Sequence, residues 1–439
     1  MSKDKTIRID PVTRLEGHGS LTIKLSADMK QVKDVQFNIN STRFFERFLT
    51  GRLMEEAPRI APRICGICPI PHHLASVKAV EAAWDVTPPP AAVKLRRLLI
   101  EAKQLSSHAI HFYALAAPDF VFGPFADPAV RNVAAVLKHL PDVAVQAIKL
   151  MEFGQELCRT VGAKAVHPVT AIPGGMLSPL KEEERDDWLN KVPEMLENIN
   201  KTVDLAKTVV NLYLDVITKV AVTPTYYIGL SNEGALDIYD GTVRVQDPDG
   251  EIVADFEPHE YTKYYGEHIP KHSYATHIYY KPAGYPEGVW RANTLARCNV
   301  NERMATPLAD AALKEMRELV GRPSHHTFAF HYARVVEMVQ AAEWIKTLLE
   351  DPDIVSTDVK LSDVEPKAGE GVGIVEAPRG ILLHNYESDE KGILTKANLV
   401  VATNNNIAGI EKSLMTAAKQ IFEQEAHKDL KLPDPLVKT

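Results

Sequence analysis

Two cysteines and two histidines lie within one short segment, PRICGICPIPHH at residues 62–73. Cys65 and Cys68 are three residues apart, a spacing that puts both sulfur atoms on one face of a helical turn. Both could therefore bind one metal ion or one pair of ions. Thiolates suit nickel, iron or zinc better than magnesium or calcium. Two buried structural thiols, or a zinc site completed by His72 or His73, remain compatible with these residues.

The other two cysteines do not extend this group. Cys158 and Cys298 have no ligand-like neighbours in the sequence and are predicted to be core residues. Four cysteines in 439 residues do not predict a disulfide scaffold. No GxGxxG, P-loop or GxSxG motif is present, so the sequence does not support a dinucleotide, ATP or α/β-hydrolase site.

The composition is that of an ordinary globular protein, with 45% hydrophobic and 25% charged residues. A net charge of −8 argues against nucleic acid as a partner, because phosphate binding needs a basic surface. The first residues, MSKDKTIRID, lack the apolar core of a signal peptide. Apolar runs such as VVNLYLDVI (209–217) are too short to span a bilayer. We therefore expect a cytoplasmic protein without a membrane span.

The elements that must position the cysteines are mainly helices. Alternating apolar residues predict strands at the N-terminus, and turn residues predict hairpins at 240–257 and 373–403. The segment from Leu95 to Phe112 has one apolar face, as expected for a long amphipathic helix. Further helices are predicted around 142–161, 184–219, 307–320, 330–350 and 407–424. The predicted fold is α+β, with a central helical bundle and peripheral small β-sheets.

We expect one structural unit over residues 1–439, with four regions along the chain. The regions are an N-terminal β region (1–42), a first helical part with the cysteine motif (43–235), a β-hairpin insert (236–300), and a helical and β C-terminal part (301–439). No repeat and no low-complexity tract interrupts them.

Five motifs together resemble the large subunit of nickel–iron hydrogenases, in the order of that family. They are PVTRLEGH (11–18), RICGIC-x-x-x-H (63–72), HFYALAAPD (111–119), HPVTAIPGG (167–175) and VEAPRG (375–380). The resemblance extends from about residue 6 to the C-terminus. The chain is most similar to the cytosolic type of methanogens, which does not reduce the deazaflavin coenzyme. The resemblance implies the large-subunit fold and reversible heterolytic oxidation of dihydrogen.

The resemblance also implies a set of metal ligands. In the family, the cysteine at position 65 is a terminal nickel ligand, and Cys68 bridges nickel to an iron that carries carbon monoxide and cyanides. Glu46 matches a magnesium-binding carboxylate, although alone it would be interpreted as a helix-surface charge. No iron–sulfur cluster is expected in this chain, because its cysteines are too few. Electrons must then leave through an iron–sulfur small subunit.

Four residues match the family's catalytic positions. Glu16 in RLEGH matches the proton gate, a role that requires a nearby proton acceptor. Arg379 in EAPRG matches a guanidinium held over the metals, and Asp119 matches the carboxylate that orients it. His72 matches a histidine that supports a facing cysteine through a hydrogen bond. Without the motifs, the first three would be interpreted as surface or helix-end charges.

The remaining matches are weaker. Thr403 falls where the family has a hydroxyl donor to cyanide, and Ala377 lies in the motif that lines the cofactor. His111 and His167 also lie in family motifs, and we expect them to be structural or to support the ligands indirectly.

The sequence departs from the family at one point. The family has a second cysteine pair in a D-P-C-x-x-C-x-x-H motif, whereas Asp434 and Pro435 are followed here by Leu436. Three explanations remain: a separate short polypeptide with the missing cysteine or selenocysteine, a sequence that ends early, or a degenerate subunit without metal. Because Cys65, Cys68, Glu16 and Arg379 are all present, we favour the first explanation.

The expected partners follow from this interpretation. They are dihydrogen, the iron–sulfur small subunit, the short polypeptide, and an electron-acceptor subunit with heterodisulfide reductase, an assembly that implies electron bifurcation. Three alternatives remain: a large subunit that reduces the deazaflavin coenzyme, a metal-free structural subunit of a related redox complex, and a zinc-binding scaffold.

Overall fold

The structure is a computed structural model that describes residues 3–41, 43–425, 428–434 and 436–437. Pro435, which belongs to the departure from the family's C-terminal motif, lies outside the described residues. The α-helices of the described residues are α1 (Phe45–Leu49), α2 (Ala57–Ile60), α3 (Pro69–Trp84), α4 (Pro90–Ala109), α5 (Ala117–Phe122), α6 (Val133–His139), α7 (Pro141–Gly162), α8 (Glu182–Leu212), α9 (Leu214–Lys219), α10 (Thr294–Val300), α11 (Pro307–Val320), α12 (Phe330–Glu350) and α13 (Ile407–Phe422).

The strands form small, separate sheets. They are β1 (Lys5–Ile9), β2 (Gly19–Leu25), β3 (Val32–Ile39), β4 (Ala171–Ile172), β5 (Gly175–Met176), β6 (Tyr226–Ser231), β7 (Ala235–Leu236), β8 (Thr242–Gln246), β9 (Ile252–Phe256), β10 (Tyr265–His268), β11 (His277–Tyr280), β12 (Trp290–Arg291), β13 (Arg303–Met304), β14 (Gly369–Ala377), β15 (Gly380–Ser388) and β16 (Leu394–Val400). The larger sheets have the orders β1-β2-β3, β12-β6-β8-β9 and β14-β15-β16.

The main hydrophobic core lies between the long helices. Apolar residues of α3, α4, α7, α8, α11 and α12 form one buried cluster. In α4, Leu95, Leu98, Leu99 and Leu105 are each at most 1% exposed, as expected for apolar residues three or four apart on one helical face. The α+β fold with a central helical bundle and small peripheral sheets is therefore confirmed.

Most predicted elements are found at the expected positions, with two differences. The helix predicted at 184–219 is interrupted at Tyr213, whose hydroxyl donates a hydrogen bond to the carbonyl oxygen of Phe120 at 2.9 Å. The long helix from Leu95 passes into a π-helical segment at Ile110–Ala116, which a simple 3.6-residue period does not predict.

The four-stranded sheet crosses the predicted boundary between the first helical part and the β-hairpin insert at residue 236. Strand β6 lies before this boundary and pairs with β8 and β12, which lie after it. The division of the chain into four regions stays a prediction. None of the described helices combines the length and apolar character that a membrane-spanning segment needs.

Helix α3, which follows the cysteine motif, lies directly against strand β14. Alternate glycines of β14 face the helix, and a Cβ atom at any of them would overlap the helix backbone. The contacts pair Gly369 with Ala83, Gly371 with Ala79 and Gly373 with Ala75. The glycines are needed here because they allow this close approach, and the approach fixes the position of the hairpin β14-β15 relative to the cysteines.

Candidate metal centre

The cysteine pair lies in the loop that leads into α3. Cys65 follows a 3-10 turn (Ala61–Ile64) in an extended conformation, and Cys68 precedes Pro69, the first residue of α3. Their Cα atoms are 5.4 Å apart, and the structure joins the two sulfur atoms as a disulfide, whereas the sequence analysis expected two thiolates. The backbone N–H of Cys68 donates a hydrogen bond to Sγ of Cys65 at 3.2 Å. The pair is thus close enough to share a metal once reduced, and its assignment as a ligand pair stays a prediction.

The packing of α3 on β14 relates the hairpin tip to the cysteine loop. Two residues of a strand span about 6.6 Å, and four residues of a helix span about 6.0 Å. Because these lengths are nearly equal, every second strand residue meets the helix about one turn further along. Gly373 faces Ala75, and the strand and the helix are antiparallel in the contacts between them. The C-terminal end of β14, which leads to Arg379, therefore lies toward the N-terminal end of α3, which follows Cys68. The predicted catalytic arginine and the cysteine pair therefore lie at the same end of this layer.

His72 is fully buried on the first turns of α3. Its Nδ1 lies 3.0 Å from Nε2 of His384, and Nδ1 of His384 lies 2.8 Å from the hydroxyl of Tyr386. The other ring nitrogen, Nε2 of His72, is buried and has no hydrogen-bond partner. Burial lowers the pKa of His72 to about 3, so the imidazole is neutral at pH 7. A neutral ring with one unpaired nitrogen fits the predicted role of supporting a ligand sulfur.

Arg379 also has an unpaired polar atom. It lies in the two-residue turn between β14 and β15, and its Nη1 is buried without a partner. Burial lowers the pKa of Arg379, and the negative charge of Glu16 raises it. The carboxylate of Glu16, on the exposed loop between β1 and β2, therefore acts electrostatically on Arg379.

The turn that carries Arg379 is fixed through its backbone carbonyl groups. Arg297 donates to the carbonyl oxygen of Ala377 at 2.9 Å, and Arg334 donates to that of Pro378 at 3.0 Å. The side-chain amide of Asn406 donates to the carbonyl oxygen of Arg379 itself at 2.8 Å. Ala377, predicted to line the cofactor, is only 1% exposed, and its carbonyl group is already paired with Arg297.

A buried ionic network holds the side chains of Arg297 and Arg334 in place. This network was not identified in the sequence analysis. Arg297 pairs with Glu337 at 2.7 Å and with Glu376 at 2.8 Å, and all three side chains are at most 3% exposed. His108 lies 2.8 Å from Glu337 and 3.1 Å from Arg334. The positive charge of Arg297 lowers the pKa of Glu337 to about 2 against the opposing effect of burial. The signal in the sequence was a set of charged residues inside otherwise apolar helices and, for Glu376, inside an apolar strand.

Asp119 does not contact Arg379 among the described residues. Its carboxylate instead pairs with the guanidinium of Arg14 at 2.6 and 2.8 Å. Arg14 belongs to the loop that carries Glu16, and it also donates to the carbonyl oxygen of Leu115 at 2.7 Å. Asp119 therefore anchors the loop of the predicted proton gate to the helical layer.

An open cavity of about 240 Å³ lies next to this anchor. It is lined by Arg14, His111, Asp119, Tyr213, His331 and Leu432, among others. His111 contacts His331 at 3.3 Å, and burial lowers the pKa of His111 well below its usual value. His111 thus lies at the cavity wall, whereas His167 lies elsewhere, with Nδ1 2.8 Å from Arg63 and therefore close to the cysteine loop.

Glu46 and Thr403 have no direct contact with the cysteine pair. The carboxylate of Glu46, on α1, pairs with Arg43 at 2.7 Å and accepts a hydrogen bond from the backbone N–H of Leu399 at 2.8 Å. Thr403 is exposed where β16 leads into α13. Binding of magnesium by Glu46 and of cyanide by Thr403 both stay predictions.

The residues present fit part of a nickel–iron centre. Two adjacent sulfur atoms provide soft ligands, and the unpaired nitrogens of His72 and Arg379 are polar atoms that a bound group would satisfy. Cys158 and Cys298 are at most 1% exposed inside the helical core, and burial raises the pKa of each thiol to about 12. They therefore add no exposed thiol to the pair formed by Cys65 and Cys68.

Comparison with known proteins identifies the family. The family described as nickel-dependent hydrogenase matches residues 43–135, and a family described as HoxL-like matches residues 6–42. The vhu-type F420-non-reducing hydrogenase of Methanocaldococcus jannaschii has a subunit that is 51% identical over 95% of this chain and 99% of its own length. The corresponding subunit of the F420-non-reducing hydrogenase of Methanothermobacter thermautotrophicus is 40% identical over 97% of this chain and 90% of its own.

A solved structure supports the same assignment. A crystal structure of an NAD+-reducing NiFe-hydrogenase in the H2-reduced state superimposes with a TM-score of 0.90 at 36% identity. The superposition covers 95% of this chain and 93% of the matched chain. The chain therefore belongs to the nickel-dependent hydrogenases and is a catalytic large subunit of that family.

Proposed function

We propose that this large subunit binds a nickel–iron centre through Cys65 and Cys68 and that it oxidises dihydrogen reversibly to protons and electrons. We further propose that the electrons pass through an iron–sulfur small subunit toward heterodisulfide reductase in methanogenesis. Relatives named F420-non-reducing hydrogenase support this electron path over reduction of the deazaflavin coenzyme.

The observation that carries the proposal is that two sulfur atoms and two unpaired buried nitrogens lie at the same end of the α3–β14 layer. Nε2 of His72 and Nη1 of Arg379 are both buried and unpaired, although such groups are nearly always hydrogen-bonded in folded proteins. The α3–β14 contacts support this, since the strand end that leads to Arg379 and the helix end that follows Cys68 are at the same end of the layer. A group bound there would give each of the two nitrogens an interaction partner.

When bound, the nickel–iron pair supplies the redox chemistry that splits dihydrogen heterolytically. The chain's own residues then have three tasks. Arg379 keeps a positive charge at the centre, where it stabilises developing negative charge. Glu16 accepts a proton and passes it to solvent, since its carboxylate is exposed. Asp119 positions the loop of Glu16 by pairing with Arg14.

We propose that the remaining thiol or selenol ligands come from a short second polypeptide. The buried and protonated state of Cys158 and Cys298 supports an external source. Carbon monoxide and cyanides would complete the iron, and Thr403 and Ala377 are the residues of this chain that we propose to contact them. Magnesium would bind the carboxylate of Glu46. This carboxylate forms an ion pair with Arg43 in the structure, and binding of the ion would have to replace that pair.

The same proposal includes a cytoplasmic complex with an electron-acceptor subunit and electron bifurcation. With four cysteines in the sequence, two assigned to nickel and two buried in the core, this chain has none left for an iron–sulfur cluster. Electrons must therefore leave through a partner.

The first experiment combines intact-mass spectrometry with metal analysis of the natively purified complex. We expect a short co-purifying polypeptide with a cysteine or selenocysteine pair, and about one nickel for each copy of this chain. A longer mass for this chain would place the missing ligands on a continuation of it. Absence of both, together with absence of nickel, would contradict the proposal and favour the metal-free subunit, and stoichiometric zinc at the cysteines would favour the scaffold.

The co-purifying partners distinguish the electron paths. We expect heterodisulfide reductase subunits, whereas a flavin subunit that reduces the deazaflavin coenzyme would indicate the alternative. Reduction assays with each acceptor, under dihydrogen, check this independently of the set of partners.

A further inference from the structure

A second group of potential metal ligands lies away from the cysteine pair. His272, His277 and Glu411 bring ring nitrogens and a carboxylate oxygen within 4.8 Å of one another, the only such group of three among the described residues. Nε2 of His272 is 2.8 Å from Oε2 of Glu411. Two histidines and one carboxylate are a ligand set that zinc and other divalent transition metals bind.

The three ligands come from distant parts of the chain. His277 begins β11, His272 lies in the loop between β10 and β11, and Glu411 lies on α13. The backbone N–H of Phe37, on β3, donates to Oε2 of Glu411 at 2.9 Å, so the N-terminal sheet is also fixed to this group. Because several elements hold these side chains, the group is positioned by the fold and not by one mobile loop.

His277 provides an independent sign that a ligand belongs here. Its residue is 1% exposed, and its Nε2 is buried without a hydrogen-bond partner. Its Nδ1 lies 3.1 Å from the hydroxyl of Tyr285. In metal sites the second ring nitrogen of a histidine ligand is bound in this way by an outer partner, which fixes the tautomer and leaves the first nitrogen free for the metal.

Charge and access also suit a cation. The side chains of His272 and Glu411 are 19% and 18% exposed, so an ion can enter from solvent and retain a water ligand. Oε1 of Glu411 accepts no hydrogen bond from the described residues, which leaves it available. His268, whose ring centroid is 6.2 Å from that of His277, stacks on Tyr285 with ring centroids 4.0 Å apart and is not one of the three ligands.

We propose that His272, His277 and Glu411 bind one divalent transition-metal ion of the zinc class. The ion joins the β10–β11 loop to α13, next to the contact of α13 with β3. Tetrahedral ligands at about 2.1 Å from zinc are roughly 3.4 Å apart. The ligand atoms lie within 4.8 Å of one another, so the widest pair closes by at most about 1.4 Å, and the pair of His272 and Glu411, now at 2.8 Å, opens by about 0.6 Å. None of these three residues is among the predicted nickel, iron or magnesium ligands.

The test is zinc binding by the purified complex after treatment with a chelator and addition of Zn²⁺ alone. Metal analysis of the wild type should give about one rebound zinc for each copy of this chain. His277→Gln and His272→Gln should each lose it, and His272→Gln, at a partly exposed position, serves if the buried variant does not fold. His268→Gln is the matched control, which removes a neighbouring histidine outside the group and should keep the zinc.

Two further readouts separate metal binding from a structural role. Tyr285→Phe should weaken zinc binding by about 10-fold, since the hydroxyl orients His277 without touching the ion. The chelator should lower the unfolding temperature of the wild type but not that of His272→Gln. Equal zinc content in the wild type and His272→Gln, or no zinc in the wild type, would overturn the proposal and leave a hydrogen-bonded cluster only.

Discussion

At the scale of single residues, the predicted proton gate is the simplest case to test. Glu16 is exposed, and its charge acts on Arg379. Glu16→Gln should lower dihydrogen–proton exchange by about 100-fold or more, because general acid–base groups contribute about 10²–10⁴-fold. Nickel content should not change. Isotope exchange measured by mass spectrometry checks this, with Glu55→Gln as an exposed control, and unchanged exchange in Glu16→Gln would exclude the assignment.

Variants of Arg379 test whether the rate of dihydrogen oxidation depends on the charge of this side chain or on its planar shape. Replacing it by Gln should lower the rate of dihydrogen oxidation by about 10²–10³-fold, as expected for loss of a preorganised positive group. Arg379→Lys keeps the charge but loses the planar guanidinium, and it should recover only part of the rate. Turnover numbers normalised to nickel content measure both. A Gln variant as active as the wild type would show that the guanidinium does not act on the reaction.

The lowered pKa of the Glu337 carboxyl group predicts that the stability of the fold depends on pH. Its pKa is lowered from 4.5 to about 2 in the folded protein, mainly by Arg297. A lowered carboxyl pKa stabilises the fold at pH values above about 4.5, and this contribution is lost as the pH falls from about 4.5 to 2. The contribution is about 3 kcal/mol. Unfolding temperatures of Glu337→Gln should therefore differ most from the wild type at neutral pH and converge in acid, and a constant difference would contradict the shift.

At the scale of elements, strand β14 and helix α3 set the distance between Arg379 and the cysteines. Gly371→Ala would push a methyl group into the backbone of α3 near Ala79 and Ala83. Overpacking of this kind costs about 1–3 kcal/mol, and here it should also reduce nickel retention, because the hairpin tip moves. Thermal unfolding and metal analysis measure the two effects. Glu370→Ala, an exposed change on the same strand, is the control and should alter both only slightly.

At the scale of the whole molecule, helical periodicity was sufficient to predict the bundle, since α7, α11, α12 and α13 begin and end close to the predicted limits. The close contact of α3 with β14 was not predicted, although alternate glycines opposite an alanine face are a readable signal.

The site was harder to predict than the fold. The motifs pointed to Cys65, His72 and Arg379, whose roles stay predictions, but spacing along a chain does not indicate which charges will meet. Asp119 pairs with Arg14, and the buried pair of Arg297 and Glu337 joins residues 40 positions apart. Such contacts depend on the packing of whole elements, which no local pattern records.

The positions of the four cysteines lead to a prediction about nickel retention by the isolated chain and by the complete assembly. We propose Cys65 and Cys68 as the nickel ligands of this chain, since Cys158 and Cys298 are buried with raised thiol pKa values. The chain purified alone and reduced should therefore retain little nickel, whereas co-expression with the polypeptide that carries the second ligand pair should give about one nickel for each chain. Cys158→Ala should leave nickel retention in the co-expressed complex unchanged, and Cys65→Ser should abolish it. Stable nickel retention by the isolated chain would show that two thiolates are sufficient and that no second polypeptide is required.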